Sequence, residues 1–419
     1  MPALRTLPAL AGLARLSCRS SINKLQISFD CVSIPSRMSV TACPRELTMM
    51  RLQSPLNRIL PLLGLAALLL LGGCATTYRS LISEDSVPIL AALKAQAAKY
   101  PSHTEFFDTE YLNQPTLRIA LHVTGNQQNA KERVMVLIHG VLADSESWRF
   151  LRGDLAKDYR MLMVDMPGAG KSDRPDPDLI GGSAPTVTAD RIAQTLIVYL
   201  KKLPDAKITL VAHSFGGLVA IRLLTNPALR ARYESLIKKI DRVILFSPAD
   251  AELLNPMPEF QHLSTLSPFT VALANLFGTA PEILAKAERN AWPDPDMALR
   301  EEADKRLAMI SDPATLRAFQ AAYRDTVVRS NGRPDWEKID QRTGDYANLK
   351  DVPCLIVWGA RDQTLPVAMG YKLAAQLPSA KLHVVPGLMH SIHVQNPQLA
   401  SHIIRSFDQT GTTDFLKSK

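Results

Sequence analysis

The chain has 419 residues, 46% of them hydrophobic and 21% charged, with only 20 Gly and 29 Pro, which excludes a disordered or collagen-like polymer and leaves material for a large core. Its formal net charge is +8, yet Arg5, Arg15, Arg19, Lys24, Arg37, Arg45, Arg51 and Arg58 stand against only Asp30 and Glu46 ahead of Cys74. The remaining body holds 40 basic and 38 acidic residues, so it offers no electrostatic reason to bind nucleic acid.

In chain order, residues 1–48 fit no recognisable signal and are expected to be a misassigned extension, with the true start at Met49 or Met50. An organelle-targeting peptide is the rival, because residues 1–29 contain Arg and Ser and no acid. Residues 49–73 read as a secretory signal: a positive start, an apolar run from Ile59 to Leu71, then small residues. That run falls short of the ~20 residues a spanning helix needs. The segment Leu71-Gly72-Gly73-Cys74 resembles the lipobox of bacterial lipoproteins. The resemblance implies lipidation of Cys74, which becomes the new N-terminus, and hence a membrane partner. Ala75 in place of Asp implies the outer membrane of a bacterial cell envelope, with an inner-membrane anchor as the alternative. The plainer reading is an apolar signal anchor that happens to end in Cys. More than one acyl chain is needed for stable anchoring, which a multiply acylated Cys satisfies. Cys18, Cys31 and Cys43 lie upstream, so acylation of Cys74 leaves Cys354 without a disulfide partner.

Residues 74–115 form a tether with an amphipathic helical stretch from Val87 to Tyr100. Short apolar runs then alternate with helical patterns: Leu117 to Val123, Val134 to His139, Arg160 to Val164, Ile208 to His213, Val243 to Ser247, Cys354 to Trp358 and Lys381 to Val385. Continuous Val/Ile/Leu runs separated by amphipathic helices predict an α/β fold, a mostly parallel sheet with helices on both faces. The core occupies 116–250 and 346–410. Between them, 251–345 shows helical patterns only (Ser267 to Phe277, Pro281 to Trp292, Asp296 to Ile310, Pro313 to Val328), which predicts a helical lid inserted between two strands. Lys171 to Pro185 reads as a loop on the same edge.

The strand Ile208–His213 runs directly into a helix from Gly216, with Ser214 at the junction between the small residues Ala212 and Gly216. Such a turn lifts the serine hydroxyl above the sheet edge and aims helix N-terminal amides at it; a plain N-cap is the bland alternative. A serine nucleophile needs a base, and the base an orienting acid. His390, in the loop after the last strand, is the base candidate, with His393 as its rival. His383 and His402 read as structural. Asp362, just past the strand Cys354–Trp358, is the acid candidate, with Asp250 as its rival. The amides of Phe215 and Val141 are the expected oxyanion donors, and His139 reads as a structural residue of the turn beside Val141.

These stretches together resemble the α/β-hydrolase superfamily, in its esterase, haloperoxidase and C–C-bond hydrolase group: Leu137-Ile138-His139-Gly140, Asp165 to Ser172, the Ser214 turn, the Asp362 segment and the His390 loop. Met389 and Gln395 depart from the usual pattern around the histidine. The resemblance implies acyl transfer through Ser214, without metal or organic cofactor, on a small-molecule ester. A tether at Cys74 favours a lipid-like one, and Phe269, Leu273, Leu276 and Phe277 of the lid are expected either to line an acyl pocket or to pack onto the sheet. Ser at 214 argues against the superfamily's epoxide hydrolases and dehalogenases. An amidase, a C–C-bond hydrolase, a cofactor-free perhydrolase and a non-enzymatic binding module remain open.

Overall fold

A computed structural model describes residues 88–109, 117–126, 128, 133–175, 187–201, 203, 205–250, 252–253, 258–330 and 332–416. The chain divides into two units, Met1–Asn57 and Arg58–Lys419, and every described residue belongs to the second. The signal, its upstream extension and Cys74 lie outside the described residues.

An eight-stranded sheet is built from β1 (His103–Thr109), β2 (Leu117–Gly125), β3 (Arg133–Ile138), β4 (Arg160–Val164), β5 (Lys207–His213), β6 (Ile240–Phe246), β9 (Cys354–Gly359) and β10 (Ala380–Val385). A two-residue hairpin, β7 (Arg329–Ser330) and β8 (Arg333–Pro334), stands apart. The sheet order is β1-β2-β4-β3-β5-β6-β9-β10. Pairing is parallel from β4 to β10 and antiparallel on both sides of β2.

Alternation along β3 shows why its sequence is apolar throughout: Val134, Val136 and Ile138 join one core cluster, Met135 and Leu137 the other. Each cluster is closed by helices. The first takes in Ala189–Leu200 and Phe215–Thr225, the second Arg149–Leu155 and Pro397–Thr410. A strand covered on both faces has no position for a polar side chain without a partner.

The segment between β6 and β9 is helical except for the small hairpin, with helices Pro258–Leu263, Pro268–Leu276, Thr279–Asn290, Arg300–Ser311, Pro313–Thr326 and Trp336–Gly344. Several starts are written locally. Ser267 and Asp312 accept from the amides of Thr270 and Ala314, and a Pro follows each at the first helical position. Asp325 fastens this lid to the core, accepting from Arg342 at 2.6 Å and from the Ala189 amide at 2.8 Å.

Two sequence expectations change here. The edge strand β1 was not anticipated, because among its described side chains only Phe107 is buried and the stretch carries no unbroken apolar run. Phe269, Leu273, Leu276 and Phe277 are not among the described residues that line the two cavities near Ser214, nor are they in the core clusters that cover the sheet. They are exposed, while Val271, on the opposite side of the same helix, points into the lid core.

Candidate active site

Ser214, Val141, Asp165, Asp250, Asp362 and His390 all follow the C-terminal ends of strands, the edge where open parallel sheets bind ligands. At Ser214 the backbone takes φ 53° and ψ −123°, a conformation costly for a residue with a side chain. The turn is held by its neighbours. The Ser214 amide donates to the Phe246 carbonyl at 3.0 Å, and the Ser214 carbonyl accepts from Gly217 and Ala249, both at 2.8 Å. The Ser214 side chain makes no cap hydrogen bond to its helix, so the plain N-cap reading falls.

Small residues are required by contact. A Cβ on Gly216 would stand 2.4 Å from the His139 carbonyl oxygen, and one on Gly140 would meet the Ser214 Cβ at 3.0 Å. The β3 turn therefore sits directly against the serine. Phe215, first residue of its helix, has an amide without an intrahelical acceptor. Val141, Ser214 and Phe215 line one cavity, roofed by Phe260, Phe319 and Tyr323 of the lid. A second cavity shares Val141, Phe215 and Phe319 with it. No Lys, Arg, Asp or Glu is among the described residues lining either one.

His390 donates from Nδ1 to Oδ2 of Asp362 at 2.8 Å, and both side chains are buried. The other Asp362 oxygen accepts from the amides of Thr364 and Leu365, each at 2.9 Å, which fixes the carboxylate before any ligand arrives. With its Nδ1 proton so committed, the imidazole keeps a lone pair on Nε2 and can take up a proton there. Asp250, the rival acid, instead accepts a short hydrogen bond from Tyr346.

His213 was not expected to take part, yet its ring centroid lies 4.7 Å from that of His390 and 4.5 Å from that of His393. Its Nε2 donates to the His390 carbonyl at 3.2 Å, tying the histidine loop to the serine turn. Its place immediately before Ser214 was the signal available. His393, second residue of the short helix Ile392–Gln395, is buried 4.4 Å from the Trp148 ring, and neither ring nitrogen has a hydrogen-bond partner among the described residues. Burial first, then the neighbouring His390 and Arg149, pushes its pKa down to about 3. Burial likewise lowers His213, reinforced by His393 and His390.

His139 is structural in geometry: Nδ1 donates to the Gly140 carbonyl at 2.7 Å and Nε2 accepts from the Met166 amide at 3.0 Å. Burial would raise the Asp165 carboxyl, but His122 at 2.9 Å and the amides of Lys171 and Ser145 hold it well below the usual range. Gln395, flagged in the sequence as a departure, accepts from the Met389 amide at 2.9 Å and donates to the Ala291 carbonyl at 2.8 Å. It joins the His390 loop to the lid. His383 is half-buried in β10, His402 is exposed on the final helix, and Cys354 is a core residue whose thiol burial pushes up to about 12.

The family model described as "Alpha/beta hydrolase family" matches residues 135–401. Among curated relatives, the dihydrolipoyllysine-residue acetyltransferase component of the acetoin cleaving system of Pseudomonas putida is 25% identical over 273 residues, 65% of this chain and 62% of that one. The chain thus spans less than two thirds of that relative. Esterase YbfF of Escherichia coli is 23% identical over 293 residues, covering 70% of this chain and 98% of the esterase. An alpha/beta hydrolase fold protein from Burkholderia ambifaria superposes with a TM-score of 0.52 at 22% identity, over 73% of this chain and 100% of its own. With the family model spanning well over half of its length, the chain belongs to the alpha/beta hydrolase family.

Proposed function

We propose that the chain is a serine hydrolase that cleaves carboxylic esters by acyl transfer through Ser214, with His390 as base and Asp362 as its orienting acid. The observation that carries the reading is the buried Asp362–His390 pair, whose loop His213 ties to the positive-φ Ser214 turn, in a cavity with no charged side chain among its described lining residues.

His390 Nε2 takes the Ser214 Oγ proton as Oγ bonds to the carbonyl carbon. The amides of Val141 and Phe215 receive the oxyanion, a contribution of about 10²–10³ in rate for each such donor. Collapse breaks the bond to the alkoxy oxygen, which leaves as the alcohol with the proton from His390. Water then gives a proton to the same nitrogen, attacks the acyl carbon and releases the acid, restoring Ser214. Asp362 supports the imidazolium in both halves. The lack of a cation among the described lining residues favours a neutral ester over a carboxylated substrate.

The lipobox-like segment supports lipidation of Cys74 and anchorage to the bacterial outer membrane. Globomycin sensitivity of processing, and the mass of the mature N-terminus, test it; an unmodified Cys74 refutes it. For the activity, a fluorophosphonate should label the folded protein and fail to label Ser214→Ala. A well-folded chain that takes no label on Ser214 would be a binding module. Turnover of p-nitrophenyl esters beside matching amides then separates esterase from amidase.

A further inference from the structure

On the helix Pro268–Leu276, Val271 packs inward with Ile310, Leu316 and Phe319. Phe269 is 72% exposed, Leu276 56% and Phe277, just past its end, 58%. With Leu273 they recur at positions that form one helical stripe. Ile283 of the next helix is also exposed. From Leu263 to Pro281 the sequence contains no Asp, Glu, Lys, Arg or His. Single exposed apolar residues are ordinary; a contiguous neutral face of aromatic and aliphatic side chains marks a contact surface.

We propose that this lid face docks on a lipid surface, with Phe269, Leu276 and Phe277 in the acyl-chain boundary, a reading that rests on the chain being a membrane-held hydrolase of neutral esters. Three observations select lipid. The segment that carries the stripe has no charged side chain to pair with a protein or to be desolvated on entry into hydrocarbon; the Glu282–Lys286 pair stands just beyond it. The first described element after the leader, the helix Pro88–Ala98, packs on the core helix Arg149–Leu155 and touches the lid from there: Leu93 clusters with Phe150, Trp292, Ala298 and Leu299, and Lys94 pairs with Glu301 at 2.8 Å. A leader held at Cys74 therefore enters the body beside the lid, through a connection that reaches at most about 50 Å when extended. Finally, Phe319, against which Val271 packs, also lines the cavity over Ser214, so the docked helix backs the cavity roof.

The test uses the full chain with Phe277→Trp as reporter and phosphatidylcholine vesicles brominated in their acyl chains. The expected result is a blue-shifted tryptophan emission quenched by the bromines. Adding Phe269→Ser and Leu276→Ser should abolish the quenching and slow hydrolysis of a vesicle-dissolved long-chain ester about tenfold, with p-nitrophenyl acetate turnover unchanged. A chain that floats with vesicles but shows no quenching overturns the docking. A blue shift that grows with protein concentration without vesicles assigns the face to a second copy and overturns it too. The Cys74→Ala chain separates the two readings: loss of flotation at low lipid with quenching kept at high lipid supports the docking and traces the tether to Cys74. Quenching by a chain that hydrolyses neither ester refutes the hydrolase reading alone.

Discussion

Three imidazoles lie together, those of His390 and His393 on either side of the His213 ring at 4.7 and 4.5 Å, and they differ in what their nitrogens do. His390 is bonded to Asp362, His213 to the His390 carbonyl, and His393 to no described residue. Burial holds His393 neutral down to about pH 3, whereas in the unfolded chain it takes a proton at about 6.5. Below that value the unfolded state gains a proton the native state refuses. Stability is therefore complete above pH 6.5 and falls as the pH drops toward 3, by about 1.4 kcal/mol per unit for this residue. His393→Leu should shrink the stability lost between pH 7 and pH 5 by about 2 kcal/mol in urea titrations. It should also keep fluorophosphonate labelling, which His390→Ala should abolish. The opposite pattern of labelling would make His393 the base. Spacing in the sequence left these two histidines open because it does not show where a ring points. The separation comes from Gln395, Gly359 and the short helix Ile392–Gln395, which turn one ring to the carboxylate and the other into the core.

At the scale of elements, seating of the His390 loop depends on one glycine. A Cβ on Gly359 would stand 2.2 Å from the Met389 carbonyl oxygen and 2.6 Å from that of Leu388, both backbone atoms. Gly359→Ala must displace the loop that carries His390 while leaving β9 and Asp362 in place. The expected result is a fall in kcat of about 100-fold on a soluble ester, the scale of a misplacement near 1 Å. KM and circular dichroism should stay close to wild type; an unchanged kcat would mean that the loop finds its position without this contact. The strands that place the site were legible because parallel interior strands are buried on both faces and carry unbroken apolar runs. β1 was not, since an edge strand with one buried side chain among those described needs no such run. In the lid, helix existence was legible from caps and prolines, but helix phase was not. Val271 and Phe269 are equally apolar, and only the packing against Ile310 and Leu316 decides which of them faces inward.

For the molecule as a whole, the +8 charge of the chain says little about its substrate, because six of those charges precede Cys74. The body is close to neutral, and the described lining of both cavities is uncharged. Electrostatic steering needs a cleft lined by one sign of charge, so kcat/KM for a neutral ester such as p-nitrophenyl butyrate should change less than about twofold between low salt and half-molar salt. A carboxylate placed in these cavities would lose its hydration without meeting a cation, at a cost of several kcal/mol. The singly charged p-nitrophenyl hemisuccinate, of similar length, should therefore be a poorer substrate by at least about 100-fold in kcat/KM. Equal turnover of the two esters, or a steep loss of the hemisuccinate rate with salt, would place a cation at the site and reopen carboxylated substrates.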